Sequence, residues 1–126
     1  KGTHGSTFGG NPLAMAVGNA VLDILFKKDF LTDVKKKGDY FQKELNKIKE
    51  KNPKIIKEIR GLGLMIGLKT VVDNTEFMEK LMDHKMLTVK ASENVIRLFP
   101  PLTVSISELD EAVNKIETVC QEIIKI

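Results

Sequence analysis

The chain has 126 residues, 42% hydrophobic and 29% charged, with a formal net charge of +3. That is enough length for one core and an ordinary composition for a globular domain. No apolar run approaches the ~20 residues of a membrane-spanning helix, so no membrane partner is expected.

The charge excess is local. Lys27 to Glu58 carries eleven Lys against six acids, while Arg60 and Arg97 are the only arginines of the chain. Nucleic-acid readers rely on Arg forks and stacking aromatics, and with no Trp and one Tyr the lysines read as a solvated helix face, with no nucleic-acid partner. The one cysteine, Cys120, excludes an internal disulfide framework and fits a reducing compartment, the cytoplasm.

The chain opens on a run crowded with glycine and hydroxyl residues, Gly2-Thr3-His4-Gly5-Ser6-Thr7-Phe8-Gly9-Gly10. Asn11-Pro12 follows, an N-cap residue and a residue suited to the first helical position. A hydroxyl-lined loop that feeds a helix N-terminus can bring donors close to an anion. Helix one is expected from about Asn11 to Lys28, with Leu13, Val17, Val21 and Ile24 in one stripe and Ala14, Ala16 and Gly18 leaving another face small. Helix two is expected from Thr32 to Lys51, with Val34, Gly38, Phe41, Leu45 and Ile48 on one face. Asn52-Pro53 ends it.

Two β-like runs follow, Ile55–Ile59 and Leu62–Lys69, punctuated by Gly61, Gly63 and Gly67. A short helix is expected from Thr75 to His84, then strands over Met86–Lys90 and Val95–Phe99. Ser107 with Asp110 has the form of a capping box. Leu109, Val113, Ile116, Cys120 and Ile123 carry a last amphipathic helix to the C-terminus. The order ααββαββα predicts an α+β sandwich, a sheet covered by helices, with no repeat and no internal linker.

Read singly, Ser6 and Thr7 fit either a turn or a set of short donors for a phosphate. Arg97 interrupts the apolar run Val95-Ile96-Arg97-Leu98-Phe99, where a buried Arg needs an anionic partner. That partner is a protein carboxylate in a structural ion pair or a ligand carboxylate held by the planar fork; a stem that reaches water is the third reading. Arg60, beside Gly61, reads as structural. The glycine spacing GxGxxxG is followed by a strand and so fails the dinucleotide fingerprint. His4 and His84 are isolated and no metal-ligand spacing occurs. Met65, Met78, Met82 and Cys120 read as core.

Three ordered segments resemble the class III pyridoxal-phosphate aminotransferases: His4-Gly5-Ser6-Thr7-Phe8-Gly9-Gly10-Asn11-Pro12, Arg60-Gly61-Leu62-Gly63-Leu64-Met65-Ile66-Gly67, and Asn94-Val95-Ile96-Arg97-Leu98-Phe99-Pro100-Pro101-Leu102. The resemblance covers the whole chain but only the last third or so of the family's architecture. It implies the small C-terminal domain of a fold-type I transferase over residues 11–126, connecting helix included, with residues 1–10 as a loop of the large domain.

The resemblance further implies pyridoxal 5'-phosphate as cofactor and a homodimer. Thr7 would bind the cofactor phosphate of the neighbouring subunit, Ser6 would lie beside the substrate, and Arg97 would anchor a substrate carboxylate. The substrates would be an amino acid and a 2-oxo acid, with N2-acetylornithine as donor and 2-oxoglutarate as acceptor in arginine biosynthesis. Ornithine, 4-aminobutyrate and succinyl-diaminopimelate are alternative donors. The family's Schiff-base lysine and the acid on the pyridine nitrogen precede this loop, where only Lys1 stands, too close to match. The chain is therefore expected to be the C-terminal part of a longer enzyme and inactive by itself. A reading of another class is a stand-alone binding module whose Lys-rich helix docks an acidic partner.

Overall fold

The computed structural model describes residue 2 and residues 4–124. Lys1 and Thr3 of the opening loop, and Lys125 and Ile126 at the end of the expected last helix, lie outside the described residues. The chain divides into two units, residues 1–33 and 34–126.

The first unit holds the loop and helix α1 (Pro12–Leu25). Asn11 caps α1 as its residue type dictates: its side chain accepts a 2.9 Å hydrogen bond from the Ala14 N–H, and Pro12 fills the first helical position. The helix stops three residues before the expected end, capped by Phe26, whose φ of −86° and ψ of 1° leave the helical region and whose N–H closes the last turn on the Leu22 carbonyl. The apolar stripe has helical spacing, yet Leu13, Val17, Val21 and Ile24 are exposed and α1 contains no buried residue.

The second unit is the α+β domain. It contains the greater part of α2 (Phe30–Lys51), then β1 (Ile56–Leu62), β2 (Met65–Thr70), α3 (Asn74–Asp83), β3 (Val89–Ala91), β4 (Val95–Leu98) and α4 (Ile106–Ile124). The four strands form one antiparallel sheet in the order β1-β2-β4-β3. Two hairpins, β1–β2 and β3–β4, are thus joined along β2 and β4.

The period of two sorts the strand residues into two faces. Ile66 pairs with Leu98 and Leu68 with Ile96, and all four are buried. They meet Phe41, Leu45 and Ile48 of α2, Phe77 and Leu81 of α3, and Leu109, Ile116 and Cys120 of α4 in one core. The helices pack on this face. Cys120 is the small core residue its stripe predicts, and burial pushes its thiol up to about 12. Met78 packs against this core, but Met65 and Met82 are exposed, because each falls on the outward phase of its element.

The β1–β2 turn is Gly63-Leu64, with φ +56° at Gly63 and Leu62 paired to Met65. Glycine at the first central position is the sequence demand of a type II′ turn. The turn backbone also seats α2: a Cβ on Gly38 would lie 2.6 Å from the Gly63 carbonyl carbon. The turn falls later than expected, so Arg60 lies inside β1.

The cap of α4 sits two residues earlier than expected. The Ser105 N–H donates to Glu108 Oε2 at 2.7 Å and the Glu108 N–H donates to Ser105 Oγ at 3.2 Å, the reciprocal pair of a capping box. The Ser105 N–H, followed by its hydroxyl, holds the Glu108 carboxyl below its ordinary range. Asp110 of the expected box instead accepts a hydrogen bond from the Tyr40 hydroxyl, which ties α4 to α2.

Candidate functional site

Two groups of residues carry the expected chemistry, one in each unit. In the first, the loop before α1 is held by Asn11, whose Nδ2 donates to the Phe8 carbonyl at 2.8 Å. Gly10 adopts φ +75°, and a Cβ on Gly9 would come within 3.1 Å of Ser6 Oγ, so Gly9 leaves room for the Ser6 hydroxyl to fold over it. Ser6 and Thr7 are both exposed. No acidic residue occupies the first turn of α1. Short hydroxyl donors beside the positive end of a helix, free of a competing carboxylate, form a donor set that fits a phosphate.

In the second unit, Arg97 is not buried. Its neighbours Ile96 and Leu98 point into the core, and strand alternation sends Arg97 to the opposite face, which the helices leave open. The register sets its surroundings: Arg60 pairs with Gly67, Gly67 with Arg97, and Arg97 with Val89. Two arginines therefore flank a glycine in one row across four strands. The next row runs Glu58, Lys69, Val95, Ala91.

A depression of about 710 Å³ lies here, lined by Arg60, Asn74, Lys90, Glu93, Val95 and Arg97 among others. Arg60 is ion-paired: its Nη2 lies 3.2 Å from Glu93 Oε2, and Lys69 Nζ lies 3.6 Å from the same oxygen. Arg60, followed by Lys69, holds the Glu93 carboxyl below its usual range. Among the described residues the Arg97 guanidinium makes no ion pair or hydrogen bond. Its planar fork is the uncommitted cationic group of the depression.

The hairpin tip that carries Glu93 is built by a residue that sequence reasoning passed over. Asn94 sits at φ 60°, which Asn tolerates. Its Nδ2 donates to the carbonyls of Thr70 and Val72 at 2.9 and 2.6 Å, and its Oδ1 accepts from the Asn74 N–H at 2.8 Å. Asn74 Nδ2 in turn donates to the carbonyls of Ala91 and Val95. The two amides fasten the β3–β4 turn to the end of β2 and the start of α3. Glu93-Asn94, a polar pair between two apolar runs, was the available signal for this turn.

His84 is not isolated in space: its Nε2 lies 2.8 Å from Glu122 Oε1. No cluster able to hold a metal occurs among the described residues, and no helix there is long and apolar enough to cross a membrane. Several lysines of α2 are paired with carboxylates, Lys35 with Asp39, Lys47 with Glu44 and Lys51 with Glu117. A mainly apolar cavity of about 260 Å³ is lined by residues including Phe41, Leu98, Phe99 and Leu109.

Comparison with known proteins fits this arrangement. The profile of the family described as Aminotransferase class-III matches residues 1–120. An acetylornithine aminotransferase of Mesorhizobium japonicum is 51% identical over 115 residues, which cover 91% of this chain and 29% of that protein. An ornithine aminotransferase of Staphylococcus saprophyticus is 45% identical over 118 residues, 94% of this chain and 29% of its own length. The crystal structure of an acetylornithine aminotransferase from Elizabethkingia anophelis superposes with a TM-score of 0.85 at 34% identity, covering 97% of this chain and 31% of that one. The chain thus spans about 30% of the length of the relatives it matches. With the profile match running over nearly all its length, this chain belongs to the class III aminotransferases.

Proposed function

We propose that these residues act within a pyridoxal-phosphate-dependent aminotransferase that moves the amino group of N2-acetylornithine to 2-oxoglutarate. Three features support this reading: the donor loop before α1, the open-faced Arg97, and identity above 40% to several acetylornithine aminotransferases. The observation that carries it is Arg97, a guanidinium without a protein partner among the described residues, in a depression lined also by Arg60 and Lys90.

When bound, the cofactor supplies the electron sink that makes proton transfer at the substrate α-carbon accessible. The residues of this chain bind and orient. Thr7 donates its hydroxyl to the cofactor phosphate, with the N-terminus of α1 adding a favourable field. Ser6 lies beside the substrate. Arg97 holds a carboxylate with two parallel N–H donors and so fixes the tilt of the reacting carbon. The loop belongs with the large domain of a homodimer and residues 11–126 with the small domain and its connecting helix. The pathway is arginine biosynthesis, in the cytoplasm.

Among these 126 residues none matches the family's Schiff-base lysine, so the chain alone does not transaminate. Borohydride treatment with pyridoxal phosphate should give only scattered surface labelling, and one stoichiometric adduct on a single lysine would overturn this. In the full-length enzyme, Arg97→Lys should lower kcat/KM for amino acid and oxo acid with cofactor affinity little changed. Lys keeps the charge but loses the two-oxygen fork. Equal losses for donors with and without the relevant carboxylate, with a lower Tm, would make Arg97 a structural residue and sink the assignment.

A further inference from the structure

We propose that Glu93 is a positioning residue that sets how many carboxylates the depression accepts: it occupies Arg60 and Lys69, and so leaves Arg97 as the single guanidinium open to a ligand. The inference rests on the reading of Arg97 as a carboxylate clamp.

The geometry comes from the sheet register. Arg60 and Arg97 flank Gly67 in one row, so without a further group both forks would face a ligand lying over the glycine. Arg60 does not stand upright there. A Cβ on Gly67 would lie 3.5 Å from Arg60 Cγ and 3.1 Å from Val95 Cγ1. The Arg60 stem therefore lies close over the glycine, while its guanidinium reaches Glu93 at the β3–β4 tip. Val95, on the same face, is only 5% exposed. Lys69 converges on the same Glu93 oxygen.

The backbone makes this contact a built one. Glu93 sits at φ 61°, a left-handed conformation that a side chain other than Asn or Asp rarely adopts. The Asn94 and Asn74 hydrogen bonds fasten the turn that holds it there. Arg60, followed by Lys69, lowers the proton affinity of the Glu93 carboxyl. Glu93 thus engages two cations, Arg60 and Lys69, while Arg97 lines the same depression unpaired. The ligand class that fits is an acid presenting one carboxylate to Arg97, with any second acidic group directed away from Arg60.

The test uses the full 126-residue chain at low ionic strength, where exposed charges act most strongly. Glutarate and its monoamide, glutaramate, are titrated by amide NMR. The native chain should favour glutarate only by the statistical advantage of its second carboxylate. Glu93→Gln frees Arg60 and Lys69 without removing a cation, and should raise the glutarate-to-glutaramate affinity ratio about fivefold, the upper end for an exposed ion pair. Adding Arg60→Gln and Lys69→Gln to that variant should abolish the gain, the coupling a double-mutant cycle measures. Glu93→Asn, better suited to the left-handed backbone, should give the same rise and stands in if Gln disturbs the hairpin. An unchanged ratio in both Glu93 variants overturns the proposal. Arg97→Gln addresses the underlying reading separately: if glutaramate binding survives it, Arg97 is not the clamp, whatever the Glu93 variants do.

Discussion

The two faces of the sheet are made by alternate residues of the same strands and have opposite economies. Ile66, Leu68, Ile96 and Leu98 point to the helices and are buried. Arg60, Gly67, Lys69 and Arg97 point the other way, and there the contacts are ionic and partly exposed. The first face supplies most of the stability, since burying an aliphatic side chain contributes ~1.5–3 kcal/mol, whereas exposed ion pairs contribute about 0–1 kcal/mol. The second carries the chemistry we propose, because only an unburied guanidinium is available to a ligand. Fold and function are separable here by a step of one residue along a strand.

The largest test of that separation is a pair. Phe77→Ala, in the core, should cost about 3–5 kcal/mol, while Arg97→Gln should stay within about 0.5 kcal/mol. Urea unfolding of both variants decides it, and comparable losses would erase the distinction between the faces.

A smaller effect probes the edge where the faces meet. Asn94→Ala removes three side-chain hydrogen bonds and leaves a left-handed φ to alanine, for a loss of roughly 2–4 kcal/mol. Asn94→Gly keeps the backbone freedom and should recover about 1 kcal/mol of that. If the two variants unfold together, the turn conformation contributes nothing.

The smallest effect sharpens the covered side. Tyr40 donates its hydroxyl to Asp110, and that hydrogen bond, with lesser help from burial and nearby carboxylate charge, pushes the Tyr40 phenol up to about 12 from its usual 10.0. A group whose folded pKa is raised stabilises fully below its unfolded pKa and loses that contribution as pH climbs through the folded one. Stability should therefore fall from about pH 10 to about pH 12 with a component that Tyr40→Phe removes. Identical alkaline slopes for both proteins would show that this bond does not couple α2 to α4.

The element order and the helix-two face were legible because periodicity records which residues are buried together. Gly38, Phe41, Leu45 and Ile48 all proved buried. What periodicity does not record is the partner. The α1 stripe reads as clearly as that of α2, yet α1 contains no buried residue. Degenerate local signals misled in two places. Ser105 and Ser107 each have an acid three residues on, and only tertiary packing, which gives Asp110 to Tyr40, selects the first. Three glycines each offered a turn near Arg60, and the one at Gly63 won where α2 needs a Cβ-free contact at Gly38. The expected strand from Met86 shortened to Val89–Ala91, the stretch that finds a partner in β4. Of the site, Arg97 was visible as an anomaly in an apolar run. Its exposure followed from alternation, and Glu93 and Asn94 were hidden because their roles depend on residues about twenty or more positions away.

The strand order has a consequence for assembly. Both hairpins are local, but β2 meets β4 only across the intervening α3, with Ile66 opposite Leu98 and Gly67 opposite Arg97. Contacts of that sequence separation carry a larger loop-closure entropy than the two hairpins do. The seam that completes the core is also the seam that sets Arg97 beside Gly67. A chain in which β2 and β4 have not paired therefore has no assembled arginine row.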